Sequence, residues 1–218
     1  MPKTVTLHGY WRSSAAWRVR IALALKNIAT NTQSVDLLAD QHRAHSYREL
    51  NPQGLVPTLQ IDDWKLGQSL AILEYLEEIH PTPALLPTQP RARAEVRAMM
   101  LTIACDIHPL NNLRVQRYLR SNMAADDARV VEWIRHWITT GFEGLEKQIS
   151  TQAPSNRYLF GDSVTLADVC LLPQAYNAVR FGVELGRYPR LNEVCSNLSK
   201  IEAFVTSHPD RQSDAVSA

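Results

Sequence analysis

A chain of 218 residues that is 45% hydrophobic and 21% charged has the apolar material for one large core or two small ones, as an ordinary soluble globular protein does. Its 23 basic and 22 acidic residues balance, and they balance again on either side of Ala84, which excludes nucleic-acid binding through bulk charge. The longest clean apolar run, Ile21 to Leu25, is far too short for a bilayer, and no apolar leader follows Met1-Pro2-Lys3, so a cytoplasmic location without membrane contact is the expectation.

Thr4 to His8 alternates and is rich in β-formers, which predicts a first strand. Arg12-Ser13-Ser14-Ala15-Ala16-Trp17-Arg18 follows, and Trp17, Ile21, Ala24 and Leu25 recur at helical spacing, predicting a helix over 15–26. Two hydroxyls therefore stand where a strand ends and a helix begins. One reading makes Ser13 or Ser14 an N-cap that satisfies free backbone N–H groups. The other has a hydroxyl facing a bound anion, phosphate or thiolate, since the same place is the positive end of the helix dipole. Thr32–Val35 suggests a second strand, and the polar stretch through Asp40, Gln41, His42 and His45 a surface loop or short helix. In the run Asn51 to Leu59, Pro52 and Gly54 mark a turn. Pro57 lies between Val56 and the strand-like Thr58–Ile61 and cannot donate to a ladder, which points to an edge, a bulge or a cis bond. Pro57 is then either a plain strand start or the device that leaves the Val56 N–H and C=O free for an extended, peptide-like ligand. Asp62-Asp63 turns the chain, Lys65-Leu66 begins a short strand, and Gln68-Ser69 opens a helix with Leu70, Ile72, Leu73, Tyr75 and Leu76 apolar. Ser69, like Ser13, reads as a cap or as a donor. The three features together read as fixed donors around an anionic, partly peptide-like ligand.

His80-Pro81-Thr82-Pro83-Ala84, with Pro87 and Pro90 beyond, is the clearest composition break. It predicts a first domain over 1–84, a linker over 85–90 and a second domain over 91–218. Past it the strand signal vanishes. Arg91–Ile107 is patterned as a helix that His108-Pro109 should kink or end, and Leu110, Leu113 and Val115 continue toward Tyr118 and Leu119. Asp126–Ile149 is a long helix whose Trp133, Trp137, Phe142 and Leu145 read as core packing. Thr165 and Asp168 have capping-box spacing, and structural capping is preferred to a catalytic acid there. Val169–Val183 continues as helix through Pro173, which should kink it. Arg180, near the end, meets either an anionic ligand or the helix's own C-terminal dipole. A last helix over 189–204 and a polar, frayed tail over 207–218 complete the chain. Cys105, Cys170 and Cys195 are too scattered for a disulfide framework or CxxC site, and the seven histidines lack HxxxH spacing, so no metal is expected.

The βαβ-ββα order, the Val56-Pro57 and Gln68-Ser69 pairs and the all-helical remainder resemble the cytosolic glutathione transferase fold, an α/β thioredoxin-like N-terminal domain plus an all-α C-terminal domain. The string from Arg12 to Leu23 resembles the zeta-class motif usually written SSCxWRVRIAL. Gln68 to Ile72, Asp106 to Arg114, Arg180-Phe181 and Tyr188-Pro189 fit the same class, so the likeness spans all but the tail. It implies a homodimer that uses glutathione as cofactor and acts on a small dicarboxylate substrate. The activity implied is cis–trans isomerisation of maleylacetoacetate, or of maleylpyruvate on the gentisate route. The alternatives are a transferase or dehalogenase for small α-halo acids, which would consume glutathione, and a non-catalytic binding module.

By the same resemblance Ser13 stabilises the glutathione thiolate, with Ser14, Ala15 and the N–H groups around them adding the helix field. Val56, before a cis Pro57, pairs with the cysteinyl backbone, and Gln68 and Ser69 hold the γ-glutamyl carboxylate. His42, His108, Asn112 and Arg114 match further glutathione contacts. Arg12 and Arg180 match positions for the substrate carboxylates, a role that suits arginine's planar fork; Arg114 is a third candidate. Apart from the resemblance, Arg12 beside Trp11 also reads as a surface charge whose stem packs on the ring. Ala15 departs from the motif, which usually has Cys there. A serine-stabilised thiolate does not need that thiol, whereas disulfide exchange would.

Overall fold

The alternation at the N-terminus folds as β1 (Val5–Gly9) in the computed structural model, which describes residues 4–151 and 156–215. Helix α1 (Ser14–Leu25) follows, then β2 (Asn31–Ser34), a 3-10 turn over Gln41–Arg43, α2 (His45–Leu50), β3 (Thr58–Ile61), β4 (Trp64–Gly67) and α3 (Ser69–Ile79). The sheet order is β2-β1-β3-β4. Strand β2 runs parallel to β1, with Gly9 opposite Ser34. Strand β3 is antiparallel to both neighbours, with Thr58 opposite His8 on one side and Gly67 on the other.

This register places the carboxyl ends of β1, β2 and β4 and the start of β3 at one end of the sheet. The segments leading to Ser13, to His42, to Val56-Pro57 and to Gln68-Ser69 all leave or enter there. Helix α1 packs on α3 and is buried nearly all round, with Trp17, Val19, Ile21 and Ala22 at most 1% exposed. At the far ends of α1 and α3, Lys26 Nζ donates to Glu77 Oε2 at 2.7 Å and to the carbonyls of His80 and Pro83. A buried ammonium with three acceptors fastens the two helices; removing one partner of such a pair costs about 3–5 kcal/mol.

The described residues form two compact units, those of 1–84 with 201–215 and those of 85–200. The second unit holds α4 (Pro90–Leu101), α5 (Leu113–Asn122), α6 (Asp127–Ser150), α7 (Leu166–Arg180) and α8 (Pro189–Leu198). Leu85 and Leu86 are buried, and the Leu85 carbonyl accepts from the Leu166 N–H at 2.9 Å. Pro109 perturbs the helix before it as expected, but by widening rather than a simple break. A π turn over Thr102–Ile107 passes into a 3-10 turn over His108–Asn111. A proline lacks the N–H and crowds the carbonyl four residues back, and a wider turn relieves both. Gly141 on α6 lies against this turn, and a Cβ there would overlap Ile107. The aromatic stripe of α6 is core: Phe142 is buried edge-on to Tyr188, and the Trp133 indole donates to the Leu110 carbonyl.

Two expectations for the C-terminal region fail. The helix over 189–204 is two, α8 and α9 (Glu202–Thr206), because Ile201 adopts an extended conformation between them. The stretch from 207 is not frayed up to Ala215; it packs in the first unit, where α9 lies on α1 and a 3-10 turn covers Pro209–Arg211. Residues 216–218 lie outside the described residues. No helix among the described residues is long and apolar enough to cross a membrane.

Candidate active site

Ser13 is the N-cap of α1, and its Oγ accepts from the Ala16 N–H at 3.2 Å. The capping reading is therefore correct as far as it goes. A hydroxyl has one proton to give and two lone pairs to receive. Capping uses a lone pair, so the same hydroxyl can still donate to an anion while the helix N–H polarises it. Ser13 is half-buried; Ser14 is buried as the first residue of α1, and Ala15 is half-buried behind it. Arg12 is half-buried with its guanidinium 4.9 Å from the centre of the Trp11 ring, so it is the cationic head that lies over the ring.

Ser69 departs from the capping reading. Helix α3 begins at Ser69 with Gln68 as the residue before it, and no side chain caps it. An uncapped helix start presents N–H groups and the positive end of the dipole, which together favour a carboxylate. The buried Ser69 Oγ instead accepts from Arg18 Nη1 at 3.4 Å. Arg18, 1% exposed in the second turn of α1, thus ties α1 to the start of α3. Gln68 holds a positive φ of 67°, a region few residues other than glycine adopt. Its exposed amide donates to Gln53 Oε1 at 2.8 Å.

The Val56–Pro57 peptide is cis, and neither the N–H nor the C=O of half-buried Val56 has a partner among the described residues. The carbonyl one residue earlier is fully engaged. Leu55 O accepts from the Tyr47 hydroxyl and from Asn51 Nδ2, both at 2.8 Å. The same two side chains reach Thr58 Oγ1 at 2.9 and 3.2 Å. Burial raises the Tyr47 pKa, so the phenol stays a donor. Tyr47 and Asn51 therefore clamp the chain on either side of Val56 and leave only its own backbone pair to present. His42 is buried in the 3-10 turn, with Nε2 3.8 Å from Asp40 Oδ1. Gly54, at φ 60°, lets the turn before Val56 touch the His42 carbonyl; a Cβ there would sit 2.9 Å from that oxygen.

In the helical unit, His108 opens the 3-10 turn, Asn112 caps α5 by accepting from the Arg114 N–H at 3.1 Å, and Arg114 is exposed in the first turn. Arg180 is exposed at the end of α7, its guanidinium 5.4 Å from the Phe181 ring centre and 3.5 Å from Asn177 Oδ1. Asp168 is wholly buried. Its carboxylate accepts from the Leu159 N–H at 2.9 Å, the Thr165 N–H at 2.8 Å and the Thr165 hydroxyl at 2.7 Å, completing the capping box. Burial pushes its pKa up to about 6, against the pull of these donors. The buried Cys195 thiol is pushed up to about 12 by burial and then by Asp168, which makes it a poor nucleophile.

Arg12, Ser13, Ser14, Ala15, His42, Val56, Pro57, Gln68 and Ser69 thus lie on segments that meet at one end of the sheet. Sequence reasoning missed Arg18, Tyr47, Asn51 and Gln53. Arg18 had a signal, a cation inside a helix with no polar face; the other three had none, because their spacing means nothing until β3 is paired.

The family model "Glutathione S-transferase, N-terminal domain" matches residues 7–84, and "Glutathione S-transferase, C-terminal domain" matches 131–196. The chain is 44% identical over 215 residues to a probable maleylacetoacetate isomerase of Vibrio cholerae, covering 97% of this chain and 99% of that one. It is similar to a holo maleylpyruvate isomerase described as a bacterial zeta-class glutathione S-transferase, with TM-score 0.95, 41% identity, and 97% and 100% of the two chains covered. It is also similar to a maleylacetoacetate isomerase of Methylobacterium extorquens AM1 with malonate and glutathione bound, with TM-score 0.94, 39% identity, and 97% and 100% covered.

Proposed function

This chain belongs to the glutathione S-transferase family, in its zeta class, and from that premise we propose that it is a glutathione-dependent maleylacetoacetate isomerase, converting the cis diketo acid into fumarylacetoacetate in tyrosine and phenylalanine breakdown. The observation that carries the reading is the sheet end itself. A half-buried hydroxyl at the start of α1, an unpartnered backbone pair at Val56 and an uncapped start of α3 lie on segments that converge there. Those are a thiolate donor, a strand-like docking edge and a carboxylate site, the chemistry of a small acidic peptide thiol.

Glutathione, when bound, supplies a thiolate whose addition to the cis double bond leaves a single bond that can rotate, and whose departure restores a trans double bond. The residues of this chain hold that chemistry in place. Ser13 donates to the sulfur, and the first N–H groups of α1, with Ser14 and Ala15, add positive potential that favours the ionised thiol. Val56 pairs N–H and C=O with the cysteinyl backbone, and Gln68, Ser69 and the open start of α3 receive the γ-glutamyl carboxylate. His42, His108, Asn112 and Arg114 are assigned further contacts to the tripeptide. Arg12 and Arg180 are assigned the substrate carboxylates and the charge that develops on the keto oxygen, where fixed donors contribute most. Ala15 leaves this scheme intact and removes a thiol that disulfide exchange would use. The working form is a homodimer in the cytoplasm.

The test follows the absorbance of maleylacetoacetate and maleylpyruvate with purified protein, with and without substoichiometric glutathione. Isomerisation of maleylacetoacetate that requires glutathione yet leaves its total unchanged is the expected result. Faster turnover of maleylpyruvate would move the substrate, and net loss of glutathione with an α-halo acid would replace the isomerase by a conjugating enzyme.

A further inference from the structure

The segment after α9 does more than cover the first unit. Asp214 Oδ2 accepts from the Trp11 N–H at 3.2 Å and from the Ser34 hydroxyl at 2.7 Å. One carboxylate oxygen thus joins the loop between β1 and α1 to the end of β2, at the same end of the sheet as Ser13. Arg20 completes the clasp from inside α1. Its Nη2 donates to the Trp11 carbonyl at 2.8 Å and its Nε to the Ser207 carbonyl at 3.2 Å. The Trp17 indole donates to the Ser207 hydroxyl at 3.1 Å. Both backbone groups of Trp11 are therefore held by charged side chains, and two residues on, the Ser13 N–H closes a turn onto the Tyr10 carbonyl at 3.0 Å. Hydrogen bonds to charged groups are the stronger kind, and each such constraint narrows the positions open to the hydroxyl that follows.

We propose that Asp214 is a positioning residue for the loop that presents Ser13, acting through the Trp11 backbone and with Arg20 as its counter-charge. Burial pulls the Arg20 pKa down to about 10, and the carboxylate of Asp214 opposes that fall, so the two ends of the clasp support each other. The consequence for thiolate binding rests on the function proposed above; the ordering of the loop does not.

The test compares Asp214→Ala with the wild type and with Asp210→Ala, a neighbouring carboxylate that faces His208 at 3.6 Å and not the loop. Amide hydrogen exchange at Trp11 and Ser13, without glutathione, is expected to quicken about tenfold in Asp214→Ala, the equivalent of one lost hydrogen bond to a charged group, and to stay at the wild-type rate in Asp210→Ala. Asp214→Asn keeps an acceptor for Trp11 but not the charge, so it falls between; it carries the test by itself if the alanine variant does not fold. With glutathione added, the pH midpoint of the bound thiolate's ultraviolet absorbance is expected to rise in Asp214→Ala, and KM for glutathione with it, ahead of kcat. Exchange rates at Trp11 and Ser13 equal to the wild type's overturn the proposal, as does a lower melting temperature with an unmoved thiolate midpoint. A wild-type complex with no thiolate signal overturns the proposed function instead, and the exchange comparison then decides the role of Asp214.

Discussion

Two helix starts in this molecule use the same capping chemistry and end with opposite characters. At α7, Asp168 and Thr165 satisfy one another and the backbone within a buried turn, and the carboxylate receives three donors. At α1, Ser13 makes a single capping bond and stays half-buried, with its proton still to give. The first arrangement is closed, so it contributes stability. The second is left one bond short, so it suits a ligand. Whether a polar side chain at a helix start is structural or chemical depends on how many of its bonds the fold has already made.

The largest effect expected at the open end is on rate. Ser13→Ala and Ser13→Gly should each lower kcat/KM by about 100- to 1000-fold, the usual scale for removing a donor to a developing or resident anion. Their stabilities should differ: alanine at an N-cap costs about 1 kcal/mol and glycine only a few tenths. Steady-state kinetics beside urea unfolding separates the two, and a Ser13→Gly rate within tenfold of the wild type would reduce Ser13 to a cap.

At the closed end the effect moves to stability. Asp168→Ala leaves three buried donors without an acceptor and should lose about 2–4 kcal/mol in urea unfolding, while kcat of the folded protein holds. A fall in kcat with stability unchanged would make the two starts alike after all. The comparison sharpens with pH. The folded Asp168 pKa, near 6, lies above the ordinary carboxylate value, so between about pH 4 and pH 6 the folded state holds a proton the unfolded state has lost. Its contribution to stability therefore falls as pH rises through that window. The stability gap between wild type and Asp168→Ala should be widest near pH 4 and narrower by pH 7; a gap that widens with pH would refute the burial argument. The smallest effect concerns the third start, α3. Gln53→Ala frees the Gln68 amide and should raise KM for glutathione about threefold, on the scale of one neutral hydrogen bond.

Much of this was legible before any coordinate. Strand β3 falls on the residues read for it, β1 and α1 within a residue, and the Thr165–Asp168 box forms as its spacing said. What sequence reading missed follows a pattern. Ser69 reads as a cap, like Ser13, because both are hydroxyls at a helix start, and nothing local says that Arg18 would bond to one and not the other. The residues after Ser207 looked frayed because they are polar and terminal; their partners, Trp11, Arg20 and Ser34, lie some 180 to 200 residues away in the chain.

Local pattern by itself determined most of the elements, their order, the Ser13 and Thr165–Asp168 caps and the candidate donors, because propensity, turn chemistry and periodicity act over a few residues. The family likeness carried the choice of glutathione. Only tertiary structure decided which of those donors stay unsatisfied. Pairing of β1 with β2 and β3, and of β3 with β4, brings four separated segments to one sheet end, and side chains from elsewhere (Tyr47, Asn51, Arg18, Asp214) then take up some of the bonds gathered there. A hydrogen bond is made or left open by a neighbour in space, and short-range pattern does not encode which neighbour that will be.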